Sequence, residues 1–111
     1  MHELSIARNI VAIVCERAAG APVRRVTIEV GIFCGVLPEA IAFCFPIVAD
    51  GTSCARAELD VRTIAARARC RTCAAEFAQA RLGAPCACGS YDIERLSGHE
   101  LNVKEMELEA A

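Results

Sequence analysis

The densest chemistry in the chain is a set of four thiols, Cys70-x2-Cys73 and Cys86-x-Cys88, with twelve residues between the two pairs. Four thiolates drawn from two short loops can surround one ion tetrahedrally, and zinc is the cation that most often takes such a set. A shell closed by four protein ligands makes the metal structural rather than catalytic. Residues 66–92 need such a device, because they have almost no apolar periodicity with which to bury a core. Metal binding would supply folding free energy on the order of 10 kcal/mol or more. Phe77 reads as a lone hydrophobic anchor for this segment, and Gly89 as a place where backbone amides approach the Cys88 sulfur. The second pair is one residue shorter than a regular Cys-x2-Cys, so its turn must be tighter. The competing readings are four reduced thiols without metal and a redox-active dithiol, and the second lacks a βαβ context. Cys15, Cys34, Cys44 and Cys54 read as small hydrophobes.

The amino terminus, Met1-His2-Glu3, offers a second kind of site. A free α-amine at Met1 and the deprotonated amide of His2 close a five-membered chelate ring. That amide and Nδ1 of the imidazole close a six-membered one. The Glu3 backbone nitrogen would make a fourth donor, a set that suits square-planar Ni(II) or Cu(II). Histidine binds metal only when neutral, so affinity should fall below about pH 6. Taken alone, the same three residues also read as a frayed end.

The elements that must hold these residues follow from hydrophobic period. Leu4, Ala7, Ile10, Val11, Val14 and Ala18 predict an amphipathic helix that Gly20 and Pro22 stop. From Val23 to Phe33 the period becomes two, with Val26, Ile28, Val30 and Ile32 on one face: a strand with one buried side. Pro38 is placed to open a second helix, with Leu37, Ile41, Phe45 and Val48 as its inner stripe and a kink or early end at Pro46. Ala57, Leu59 and Val61 alternate as a second strand, and a third begins near Ser97 with a phase slip at Lys104-Glu105 that predicts a bulge. The fold class is α+β: two helices on a small sheet of about three strands, interrupted by a zinc-ribbon-like insert. The division is residues 1–65 plus 93–111 for the first unit and 66–92 for the metal-knit insert, joined by short connections near Ala65 and Ile93. A change of metal load in one unit could therefore alter how the other is presented.

Composition narrows the function classes. The 111 residues carry a net charge of −2 and only 5% aromatics, which provides no field for nucleic acid or an anionic membrane. No apolar run approaches the roughly 18 residues that cross a bilayer. The acid at Glu3 stands where a secretory leader carries basic residues, so a cytoplasmic setting with reduced thiols is expected. There is no G-x-x-x-x-G-K-[ST] loop and no Ser–His–Asp set, which points away from an enzyme. His99 reads as solvated surface.

Met-His-Glu-Leu-Ser at the start, Val26-Thr27-Ile28-Glu29-Val30-Gly31, Ala42-Phe43-Cys44-Phe45, Cys88-Gly89-Ser90 and Ser97-Gly98-His99-Glu100-Leu101 occur in that order. Over essentially the whole chain this pattern resembles the HypA/HybF family of hydrogenase nickel-incorporation proteins. The resemblance implies a nickel metallochaperone acting in NiFe-hydrogenase maturation, with a HypB-type GTPase and the hydrogenase large subunit as partners. Some relatives also serve urease accessory proteins. It implies nickel, as cargo, at Met1, His2 and Glu3, and structural zinc at Cys70, Cys73 and Cys88. The chain departs from the family's Cys-Pro-x-Cys at the second pair, where Pro85 takes the first position; Cys86 is assigned as the fourth ligand. Glu39 lies near a carboxylate that some relatives use for nickel, but is not aligned with it and is left out. The alternatives are a zinc-ribbon nucleic-acid module and a zinc-stabilised interaction adaptor with no role for the terminus.

Overall fold

In a computed structural model, the described residues are 2–110. Helix α1 (His2–Ala18) buries Ala7, Ile10, Val11, Val14 and Ala18, the stripe its period predicts apart from Leu4, which stays exposed. It ends where Ala19 and Gly20 take positive φ, the left-handed turn that closes helices. Strand β1 (Val23–Gly31) then runs under both helices, with Val26, Ile28 and Val30 fully buried.

Helix α2 (Pro38–Ala49) starts at the proline that presets its first turn, and it buries Ile41, Phe45 and Ala49. One expectation fails here, and the early end that Pro46 allowed does not occur. Leu37 sits just before the helix and is 64% exposed instead of lying on the inner stripe. The helix also continues through Pro46 to Ala49. Pro46 and Ala42 both face solvent, so the Ala42 carbonyl that loses its donor can be hydrated.

Strand β2 (Glu58–Ile64) pairs parallel with β1, and β6 (Leu101–Leu108) pairs antiparallel on the other side, giving the order β2-β1-β6. The slip predicted at Lys104 is present: Thr27 faces Glu105 while Ile28 faces Val103, leaving Lys104 as the extra residue. Leu59, Val61, Val103 and Met106 complete the floor beneath the helices.

Between β2 and β6 lies a second, antiparallel sheet of three short strands: β3 (Arg67–Cys70), β4 (Glu76–Ala78) and β5 (Ile93–Ser97), in the order β4-β3-β5. These strands of three to five residues have no apolar alternation to announce them, which is why the sequence presents the region as featureless.

A backbone clasp joins the two sheets. The Phe33 amide donates to the Gly98 carbonyl and the Gly31 amide to the Glu100 carbonyl, both at 2.7 Å, while Ile32 donates to Ile64 at 3.0 Å. Ser97 Oγ donates to the Ala65 carbonyl at 2.8 Å. The approach is so close that a Cβ on Gly31 would lie 2.2 Å from the Gly98 carbonyl carbon and oxygen. Gly98 itself has φ +111 and faces Ala66.

Candidate metal centre

Two knuckles on the second sheet bring the four predicted thiols together. In the first, the Cys70 amide donates to the Ala75 carbonyl and the Ala74 amide to the Cys70 carbonyl, both at 2.8 Å, so the chain folds back after Cys73. Ala74 takes φ +66 to make that turn. In the second, the Cys86 amide donates to the Ser90 carbonyl at 3.0 Å and the Gly89 amide to the Cys86 carbonyl at 2.9 Å. The first loop closes from residue i to i+5 and the second from i to i+4. That one-residue contraction absorbs the shorter Cys-x-Cys spacing. Gly89, with φ +92, therefore serves the turn, its amide going to the Cys86 carbonyl rather than to the Cys88 sulfur.

Side chains then tie the knuckles to each other. Thr72 Oγ1 and Ser90 Oγ are 2.8 Å apart, the Arg71 amide donates to the Asp92 carbonyl at 2.9 Å, and the Arg71 guanidinium reaches the Asp92 carboxylate at 3.2 Å.

The sulfur geometry fits a tetrahedral ion. Cys70 and Cys88 Sγ are 3.7 Å apart, Cys73 and Cys86 Sγ are 3.6 Å apart, and all four lie within 4.8 Å of one another. Zinc–thiolate bonds near 2.3 Å in a tetrahedron require sulfur–sulfur edges of about 3.8 Å. Cys70 and Cys86 are buried while Cys73 and Cys88 are exposed, so one edge of the site faces solvent.

The protein prepares one thiolate in advance. The Cys73 amide, 3.5 Å from Cys70 Sγ, lowers the Cys70 thiol to about 6 against the opposing effect of burial, and the Thr72 amide adds to this. Cys73 moves upward: the Ala75 amide stabilises its thiolate, but the neighbouring Cys86 and Cys70 sulfurs outweigh that.

The other cysteines are packed as small hydrophobes. Cys54 is fully buried against Cys15 at 3.7 Å, and burial pushes its thiol up to about 12.

Of the terminal nickel residues, Met1 lies outside the described residues. His2 is exposed and Glu3 half-buried, both in the first turn of α1, which starts two residues earlier than periodicity indicates. The first four amides of a helix have no intrahelical acceptor, so the ladder of α1 does not take up the amide nitrogens at positions 2 and 3. His99 is not the solvated residue expected. Its ring lies 5.8 Å from that of Phe33, and its Nε2 is buried without a hydrogen-bond partner among the described residues. Its position beside Gly98, in a Gly-His-Glu run between two strands, was the available signal.

Comparison with known proteins finds relatives along nearly the whole chain. Residues 1–108 match the family model described as hydrogenase/urease nickel incorporation, metallochaperone, HypA. The hydrogenase maturation factor HypA of a Nostoc species is 45% identical over 109 residues, covering 98% of this chain and 96% of that protein. Its counterpart from Geotalea uraniireducens is 44% identical over 110 residues, covering 98% and 100%. Among solved structures, the solution structure of the Ni metallochaperone HypA from Helicobacter pylori superposes with a TM-score of 0.71 at 23% identity, covering 100% of both chains. A second HypA solution structure gives 0.76 at 22% identity, covering 100% of this chain and 98% of that one.

Proposed function

The chain belongs to the HypA family of hydrogenase nickel-incorporation metallochaperones, and from that premise we propose that it carries Ni(II) on Met1, His2 and Glu3 and holds structural zinc on Cys70, Cys73, Cys86 and Cys88. Its action is delivery without catalytic turnover, in the cytoplasm. A HypB-type GTPase and the NiFe-hydrogenase large subunit are the partners. The insert expected over residues 66–92 extends to Ser97, because β5 (Ile93–Ser97) pairs with β3; it carries zinc, and the unit of residues 1–65 plus 98–111 carries nickel.

The observation that carries the nickel assignment is the start of α1 at His2. It sets His2 and Glu3 in the first turn of a helix that packs on the domain from Ile6 onward, at positions whose amides stand outside the helix's own i−4 ladder. For zinc, the support is the sulfur quartet with edges close to tetrahedral values. Zinc in such a shell supplies structure: it closes the two knuckles and leaves no open position for substrate. Two of the four arginines near the cysteines that a nucleic-acid reading would need are engaged by acids, Arg69 with Glu76 and Glu94 and Arg71 with Asp92. Copper would bind the same terminal nitrogens more tightly, so its exclusion rests on supply or on partners.

The test is a Ni(II) titration of zinc-loaded protein with its native terminus, beside His2→Ala and a form with extra residues before Met1. Tight uptake of one equivalent by the native protein alone is expected. Equal uptake by all three would move nickel elsewhere, and no uptake by any would leave a zinc adaptor. The clasp supports a link between the two metals: nickel load would alter exchange protection of residues 66–92. Identical protection with and without nickel would refute that link.

A further inference from the structure

The two helices lie side by side but meet solvent differently. On α1 the outward positions are mixed: Ser5, Arg8, Asn9, Glu16 and Arg17 surround Ile13, which is 50% exposed. On α2 they are Ala42, Phe43, Pro46 and Ile47, with Phe43 74% and Ile47 58% exposed. Phe43 and Ile47 are one helical step of four apart, so they form a continuous ridge. A contiguous apolar ridge on one helix face, with Phe43 the most exposed large hydrophobic of either helix, is what a contact site presents.

Charge decides what the ridge would meet. Glu39, four residues before Phe43, and Asp50, three after Ile47, extend the same line and are exposed. Residues 38–50 contain no Lys, Arg or His. The ridge is thus capped at both ends by carboxylates about 16 Å apart along the axis.

A second copy of the chain does not fit. Two-fold pairing of α2 with itself places Glu39 against Asp50 if antiparallel, and each acid against its own copy if parallel. Either arrangement sets like charges together beside an apolar contact, which disfavours it.

We propose that the outer face of α2 is the docking surface for an amphipathic helix of a partner protein, one whose apolar stripe is flanked by basic residues. This goes beyond the metal reading and does not depend on it.

The probes are two synthetic helical peptides with the same Leu stripe, one ending in Lys at both ends and one ending in Glu. They are titrated into zinc-loaded, nickel-free protein while backbone amide signals are followed by NMR. The Lys-ended peptide should shift α2 amides, and the Glu-ended peptide should bind at least about tenfold more weakly. Phe43→Ser, at an exposed position, should weaken the Lys-ended peptide about tenfold or more. The double variant Glu39→Lys, Asp50→Lys should reverse the preference between peptides. Nickel uptake measured on the same variants separates a failure here from a failure of the metal reading. Equal binding of both peptides, shifts away from α2, or concentration-dependent α2 shifts in the protein alone would each overturn the proposal.

Discussion

Replacing Gly31 with alanine should destabilise the protein even though alanine is at home in a strand. Gly31 has no left-handed φ, so the objection is contact alone. The new Cβ would stand 2.2 Å from the Gly98 carbonyl carbon and oxygen and 2.5 Å from the His99 nitrogen, all main-chain atoms that no rotamer can move. Ordinary contact requires about 3.5 Å, so the Gly98 segment must retreat by at least about 1 Å. The 2.7 Å bonds from Phe33 to Gly98 and from Gly31 to Glu100 would then be lost. Overpacking costs about 1–3 kcal/mol and each bond about 0.5–1.5 kcal/mol, giving about 2–6 kcal/mol. Gly35→Ala is the control: Gly35 has φ +83 with nothing near its Cβ, so only the left-handed strain of about 1–2 kcal/mol applies. Urea unfolding followed by far-UV circular dichroism measures both. Zinc content should stay stoichiometric in Gly31→Ala, because the knuckles close within the second sheet. If Gly31→Ala costs no more than Gly35→Ala, with unchanged exchange at Phe33, the clasp does not hold the sheets together.

Cys86→Ala should weaken zinc binding at least about hundredfold in a chromophoric-chelator competition, while Cys15→Ala should not; equal affinities would remove Cys86 from the ligand set. The depressed Cys70 thiol predicts a pH signature. Below about pH 6 that thiol must lose its proton to bind metal, and above it the thiolate already exists. Protons released per zinc should therefore fall by about one between pH 5 and pH 7 in calorimetry across buffers, and a constant release would refute it. Ala74→Gly relieves a left-handed alanine and should stabilise zinc-loaded protein by about 0.5–1 kcal/mol after the entropy cost of glycine; a loss of stability would place the turn elsewhere.

The sequence exposes what depends on repeated burial. Ile10, Val11 and Val14 on α1, and Val26, Ile28 and Val30 on β1, recur with the period of their element because one face of each is covered. Lys104 is legible for the same reason, since an unpaired residue shifts the phase of Met106 and Leu108. The four clustered cysteines are legible from type and spacing. The second sheet is not, because its strands are only three to five residues long and alternate no large apolar side chains. His99 is legible only in part: the Gly-His-Glu run between two strands marks it, but its surroundings are set by Phe33, distant in sequence.

The order of strands also carries a consequence for synthesis on the ribosome. Every pairing of the second sheet lies within Arg67–Ser97, so that sheet and its four sulfurs can close as soon as this stretch has emerged. Strand β1 must wait for β6, whose partners reach from Val23 to Leu108. The cysteine cluster can thus assemble while the first sheet still lacks its β6 edge. Helix α1 precedes β1 and β6 in the chain, yet the sheet it packs on is closed only when β6 is in place.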